Sequence, residues 1–216
     1  WLNCVHVCGS VSDIQALSSL AFVNQIRFAN AALNAKFAAV KKEIVFQKSL
    51  NVQTTFAYGT SANQIQMLNG HILHQQNYTG TGKIIAVLDS GFINVNTAQP
   101  FERLFTNNLI LGGYNFVSGN TNVFSLHNHG TLVLSSIGGF KINQLVGTAP
   151  DAQYYLYVTE DVTAENPVEE SYWVQAAEEA DRVGADIITS SLGYSDFDNP
   201  NYNHTYSDLT GNVAFA

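Results

Sequence analysis

Two side chains in this sequence could share one reaction, the carboxylate of Asp89 and the imidazole of His129. Asp89 ends the apolar run Ile84-Ile85-Ala86-Val87-Leu88 and is followed at once by Ser90 and Gly91. An ionisable group at the end of a buried strand is costly unless partners satisfy it or chemistry uses it. His129 stands further along in Asn128-His129-Gly130-Thr131, ahead of a small-residue stretch that reads as a helix. A buried carboxylate can fix the tautomer and orientation of an imidazole, which then takes the proton of a nucleophile. Asp followed by His forms the first two-thirds of a triad whose last member is a serine. Taken singly, each residue has a plainer reading. An Asp after a strand is often a turn former or cap, and a lone His is often structural or solvated.

Other constellations carry less. Gly80-Thr81-Gly82-Lys83 imitates a phosphate loop, but Asn77 and Ile84 stand where that loop needs Gly and Ser or Thr. Its glycines also precede a strand instead of following one, which excludes a dinucleotide fingerprint. His71 and His74 have no HExxH pattern or third ligand and read as surface polarity. Cys4, His6 and Cys8 share one face of an expected strand, and their spacing matches no zinc pattern, so the cysteines read as small buried hydrophobes. No cofactor is identified. The acidic residues Glu169, Glu170, Glu178, Glu179 and Asp181 read mostly as a solvated helix face.

The elements that must position Asp89 and His129 can be sketched from pattern. Residues 1–8 alternate as a strand, Ser12-Asp13-Ile14-Gln15 opens a short helix as a capping box, and 23–28 reads as a second strand. Residues 31–57 read as a linker with one short helix near 37–43. Ser61-Ala62-Asn63-Gln64 is a second capping box, leading a helix with Ile65 and Leu68 on its apolar face and ended or bent by Gly70. Strands are expected at 84–89, 109–111, 114–117, 154–158 and 187–190. They are short and non-alternating, as strands buried on both faces are. The clearest helix spans 167–183, with Asn166 as N-cap, Pro167 at N1, Glu169 at N3 and Gly184 just past its end. Strand, helix, strand in this order implies a parallel α/β sheet.

Composition narrows the function. Apolar residues make up 46% of the 216, enough for a sizeable core, yet no run is long enough to cross a membrane as a helix. The formal charge is -8, and residues 1–57 hold five basic and two acidic side chains of the totals of 9 and 17. No basic stripe exists to neutralise phosphates, so nucleic acid is not an expected partner. The charge asymmetry points to two bodies that attract each other.

Four strings occur in order: Leu88-Asp89-Ser90-Gly91, Asn128-His129-Gly130-Thr131, Val146-Gly147-Thr148-Ala149-Pro150 and Ser190-Ser191-Leu192-Gly193. Over residues 58–216 they resemble the signature strings of subtilisin-like serine proteases, most nearly a secreted bacterial branch. The resemblance implies an incomplete parallel-sheet catalytic domain over 58–216. It implies Asp89 and His129 as triad members, and Ser191, Leu192 and Gly193 as an edge strand that pairs with a peptide or protein substrate. Residues 1–30 resemble the C-terminal half of a ferredoxin-like inhibitory propeptide, with a maturation site in 31–57. An extracellular or cell-envelope location is implied by the same resemblance. Nothing after His129 matches the G-T-S-x-x-x-P string of the nucleophile, and the oxyanion asparagine has no match either. Gly59-Thr60-Ser61-Ala62 imitates the start of that string but precedes Asp89, and Ser61 reads as a helix cap. Calcium is common in the family, but no site for it matches here. The expectation is therefore a fragment of a serine endopeptidase precursor, inactive alone. The alternative is a non-catalytic homologue acting as a binding or scaffold protein.

Overall fold

The computed structural model describes residues 9–26 and 55–208. The chain divides into two compact units, Trp1–Asn51 and Val52–Ala216. In the first, α1 spans Val11–Ala16 and continues as a 3-10 turn over Leu17–Ser19. Its N-cap is Ser10, not Ser12. The Ser10 hydroxyl accepts from the Asp13 N–H at 3.2 Å and also bonds the Asp13 carboxylate at 2.6 Å. Residues 23–26 are not in a strand. The strand expected at 1–8, with Cys4, His6 and Cys8, lies outside the described residues, as do positions 27–28 and most of the linker.

The second unit is built on a parallel sheet. Its strands are β1 (Ile84–Asp89), β2 (Ile110–Asn115), β5 (Gln153–Val158) and β6 (Ile187–Ser190), in the order β2-β5-β1-β6. β3 (Phe140–Lys141) and β4 (Leu145–Val146) form a separate antiparallel pair. Helices α2 (Ala62–Gln66), α3 (Gly70–Gln75), α4 (Glu102–Thr106), α5 (His129–Gly138) and α6 (Val168–Arg182) complete the unit. β1 lies between β5 and β6 and is buried from Ile85 onward, which accounts for its unbroken apolar run. Alternate residues serve opposite faces. Ile85 and Val87 pack with Leu104 of α4, Leu134 of α5, Leu156 and Val158. Ala86 and Leu88 pack with Ala176, Ala177 and Ala180 of α6. Helices therefore cover both faces, the α/β architecture expected.

Local details depart from the sequence reading. The two strands expected at 109–111 and 114–117 are one, β2, with a register shift between Ile110 and Gly112. The helix expected after Ser61 is broken at Asn69, whose φ of 56° is left-handed, and Gly70 opens α3 instead of ending α2. Leu68 is 68% exposed, while Ile65 is buried. Ser61 does not cap with its side chain. It is buried, donating to Tyr58 O at 2.8 Å and accepting from the Val146 N–H at 3.0 Å.

α6 follows its sequence signals except at its start, where Pro167, not Asn166, takes the N-cap place and no side chain caps the helix. Glu169 accepts from the Asn166 N–H at 3.1 Å and so closes the turn that leads in. At the other end Gly184, with φ 79°, donates to Asp181 O, and Ala185 donates to Ala180 O. These two bonds form a Schellman motif. The acidic face does not hold as expected, because Glu169 and Glu170 are 0% and 6% exposed. Glu169 also accepts from the Asp161 N–H at 2.7 Å, and Glu170 pairs with His204 Nε2 at 2.6 Å. Both carboxylates fasten loops that flank the helix.

Candidate active site

β1 delivers Asp89 to the carboxyl edge of the sheet, where open α/β folds assemble ligand sites. Asp89 pairs in register with Val158 of β5, and Thr159 N–H donates to Asp89 O at 3.0 Å. The side chain keeps the parity of Ile85 and Val87, so it faces the side covered by α5. His129 is the first residue of that helix. Its Nδ1 lies 2.8 Å from Asp89 Oδ1, with Asp89 fully buried and the His129 side chain 42% exposed. Donation from Nδ1–H to a carboxylate leaves Nε2 as the free proton acceptor on an accessible ring. Oδ1 also accepts from the Ser90 N–H at 2.7 Å, and the Ser90 hydroxyl lies 3.2 Å away.

Two glycines let the carboxylate and the imidazole meet. A Cβ on Gly130 would lie 2.5 Å from Gly91 O and 2.9 Å from Asp89 Cβ. A Cβ on Gly91, where φ is +147°, would lie 2.5 Å from Ser125 O and 2.7 Å from His127 N. The loop after β1 and the start of α5 are thus in backbone contact. Thr131 fastens them further, its hydroxyl donating to Ile93 O at 2.8 Å.

Sequence reasoning missed three neighbours. His127 accepts from the His129 N–H at 3.4 Å and lies 3.3 Å from the Ser90 hydroxyl, so it buttresses the first turn of α5. Its position two before His129 was the available signal. Glu160 follows the end of β5. Burial pushes its carboxyl above the usual range, and the charges of Glu165, Glu169 and Asp89 push the same way, while His129 acts in the opposite direction. The third is Tyr194, whose phenol is raised by burial above all, with Glu160, Glu169 and Glu165 adding to the shift.

The remaining candidates fall as follows. Ser191, Leu192 and Gly193 come directly after β6, whose Ser190 pairs with Leu88, and they are outside any assigned strand. Trp173 Nε1 of α6 donates to Ser190 Oγ at 3.0 Å and fixes the point from which they leave. His74 is not surface polarity. It is 1% exposed, its Nε2 2.9 Å from Thr148 O and its Nδ1 2.8 Å from the Tyr58 hydroxyl. It ties the residues before α2 to the Gly147-Thr148 turn. Among the described residues, no serine or cysteine side chain bonds His129, and no group of three His, Cys, Asp or Glu is placed to hold a metal.

The subtilase family model matches residues 80–214, more than half of the chain. Among curated proteins, subtilisin E of Bacillus subtilis is 30% identical over 131 residues, which cover 60% of this chain and 32% of that protein. The subtilisin of Bacillus pumilus is 29% identical over 131 residues, covering 60% and 44%. The chain thus spans less than half the length of these relatives. Among solved structures, fervidolysin from Fervidobacterium pennivorans, a keratinolytic enzyme related to subtilisin, is 20% identical with a TM-score of 0.48, covering 76% of this chain and 24% of that one. MycP1 from Mycobacterium smegmatis is 20% identical with a TM-score of 0.40, covering 62% and 36%.

Proposed function

The chain belongs to the subtilase family, and on that premise we propose that it carries the Asp–His part of a serine endopeptidase. The observation that supports this most is the 2.8 Å bond between buried Asp89 and accessible His129. In the proposed mechanism His129 Nε2 takes the proton of a serine hydroxyl as that oxygen attacks the peptide carbonyl. It then returns the proton to the leaving amine, and water repeats the cycle on the acyl-enzyme. Asp89 holds the Nδ1–H tautomer and stabilises the imidazolium. Ser191, Leu192 and Gly193 offer backbone to the substrate as an added strand. The serine and the oxyanion donors come from chain following this 216-residue stretch, so the stretch alone does not cleave peptides. Residues 1–30 act as the end of an inhibitory propeptide, 31–57 contain the maturation site, and the enzyme works outside the cell or in its envelope.

Reading the coding sequence past Ala216 tests this. A G-T-S-x-x-x-P string is expected within roughly 150 codons, a domain's worth. Its absence would overturn the endopeptidase reading and leave the non-catalytic homologue.

A further inference from the structure

Among the described residues, six buried side-chain polar atoms lack a hydrogen-bond partner, and four of them belong to Asp89, Thr159, Glu160 and Tyr194. These four residues lie at or just past the carboxyl ends of adjacent strands. Asp89 ends β1, Thr159 and Glu160 follow β5, and Tyr194 follows β6. Buried polar atoms are nearly always paired, so open acceptors gathered at one sheet edge mark a place where a bound group can complete the bonding. Asp89 and Thr159 are both 0% exposed. The hydroxyls of Thr159 and Tyr194 lie close enough to pair with one another, which leaves the two carboxylate oxygens, Asp89 Oδ2 and Glu160 Oε2, as the open acceptors at this edge.

The orphans have a common chemistry. Two are carboxylate oxygens, Asp89 Oδ2 and Glu160 Oε2, and the hydroxyls also accept. Such a set calls for a cationic donor. Val158 pairs with Asp89 and packs on the α5 side of the sheet, and pairing continues through Thr159 N–H to Asp89 O. Glu160 stands two residues past Val158, near enough for the charges of Asp89 and His129 to act on it. Three other acids of this segment are engaged, and Glu165 is exposed. Glu169 accepts two backbone N–H groups, Glu170 pairs with His204, and Asp161 accepts from Thr163. Residues 58–216 also hold fifteen of the 17 acidic side chains and only four of the nine basic ones. A positively charged peptide is therefore drawn to this unit.

We propose that Glu160 is a specificity-determining residue, taking a lysine or arginine side chain of the substrate beside Asp89 and His129. The proposal rests on the endopeptidase reading and adds the class of substrate. The groups facing Glu160 are Glu165, Glu169 and Tyr194, with Asp89 and His129 of the catalytic pair. With its carboxyl raised, Glu160 keeps its proton to higher pH than a free carboxyl does and gains its charge as pH rises further. Preference for a basic side chain rises with it.

The test uses the full-length enzyme and a peptide series. A single lysine is moved through successive positions on the acyl side of the cleaved bond, and each peptide is matched by one carrying norleucine there. At one position the ratio of kcat/KM for lysine over norleucine should be about 10- to 100-fold, the effect of a hydrogen bond to a charged group. Glu160→Gln should abolish most of that ratio, while Glu178→Gln, an exposed acid of α6 that does not act on Glu160, should leave it. In the unaltered enzyme the ratio should climb as pH rises through the raised carboxyl range, a readout that needs no variant. Cleavage that depends on His129 but shows no lysine preference, or a preference indifferent to Glu160→Gln, overturns this proposal and leaves the endopeptidase reading standing. No His129-dependent cleavage of any peptide overturns both.

Discussion

At the scale of single residues, Gly130 carries as much of the account as Asp89 and His129 do. A methyl group there would meet Gly91 O at 2.5 Å, inside any real contact. Gly130→Ala must therefore push α5 away from the loop after β1. We expect a stability loss of about 1–3 kcal/mol, as for overpacked cores, measured by denaturant unfolding of the full-length protein. An unchanged midpoint would mean that this contact is not close. Glu160 supplies a second expectation. Its folded pKa is raised, so its contribution to stability is present in acid, below the ordinary carboxyl range, and is lost as pH rises through the raised value. Glu160→Gln should therefore raise Tm at neutral pH and not in acid, and equal shifts at both would contradict this. Asp89 and His129 were legible in sequence because a strand end and a helix start are marked by apolar runs and glycines. Glu160 and His74 were not. Their burial arises from segments distant in sequence, since His74 Nε2 bonds Thr148 O across 74 positions.

At the scale of elements, the loops around the site are held by side chains that pattern alone assigns to solvent. Glu169 accepts backbone N–H groups from Asp161 and Asn166 and so closes the loop between β5 and α6. Glu169→Ala would leave both donors without it, and we expect a loss of about 2 kcal/mol or more, read in the same unfolding assay. A loss below a few tenths would show that water replaces the carboxylate at no cost. α6 itself was legible to within a residue, because Pro167 and Gly184 act locally at its two ends, although Asn166 does not cap it with its side chain. β2 was harder. Its glycines, Gly112 and Gly113, interrupt the apolar pattern, and only pairing with β5 makes the segment one strand. The helices after Ser61 were misread for a similar reason. Ser61 bonds Val146, a partner 85 positions away, instead of its own helix.

At the scale of the whole molecule, β6 stands at one side of the four-stranded sheet and, among the described residues, pairs only with β1, with its Ile187 51% exposed. A parallel edge strand with apolar side chains in water is a liability. Residues 58–216 produced alone should bind a hydrophobic dye and lack a cooperative thermal transition. A soluble monomer that melts cooperatively would contradict this. The central claim is that His129, oriented by Asp89, activates a serine elsewhere in the full-length protein, and labelling with a fluorophosphonate probe tests it most directly. The folded full-length protein should label at one serine, His129→Ala should abolish labelling, and Asp89→Asn should slow it by about 10⁴-fold. Labelling that survives His129→Ala undiminished, or no labelling of the folded protein, would contradict the account.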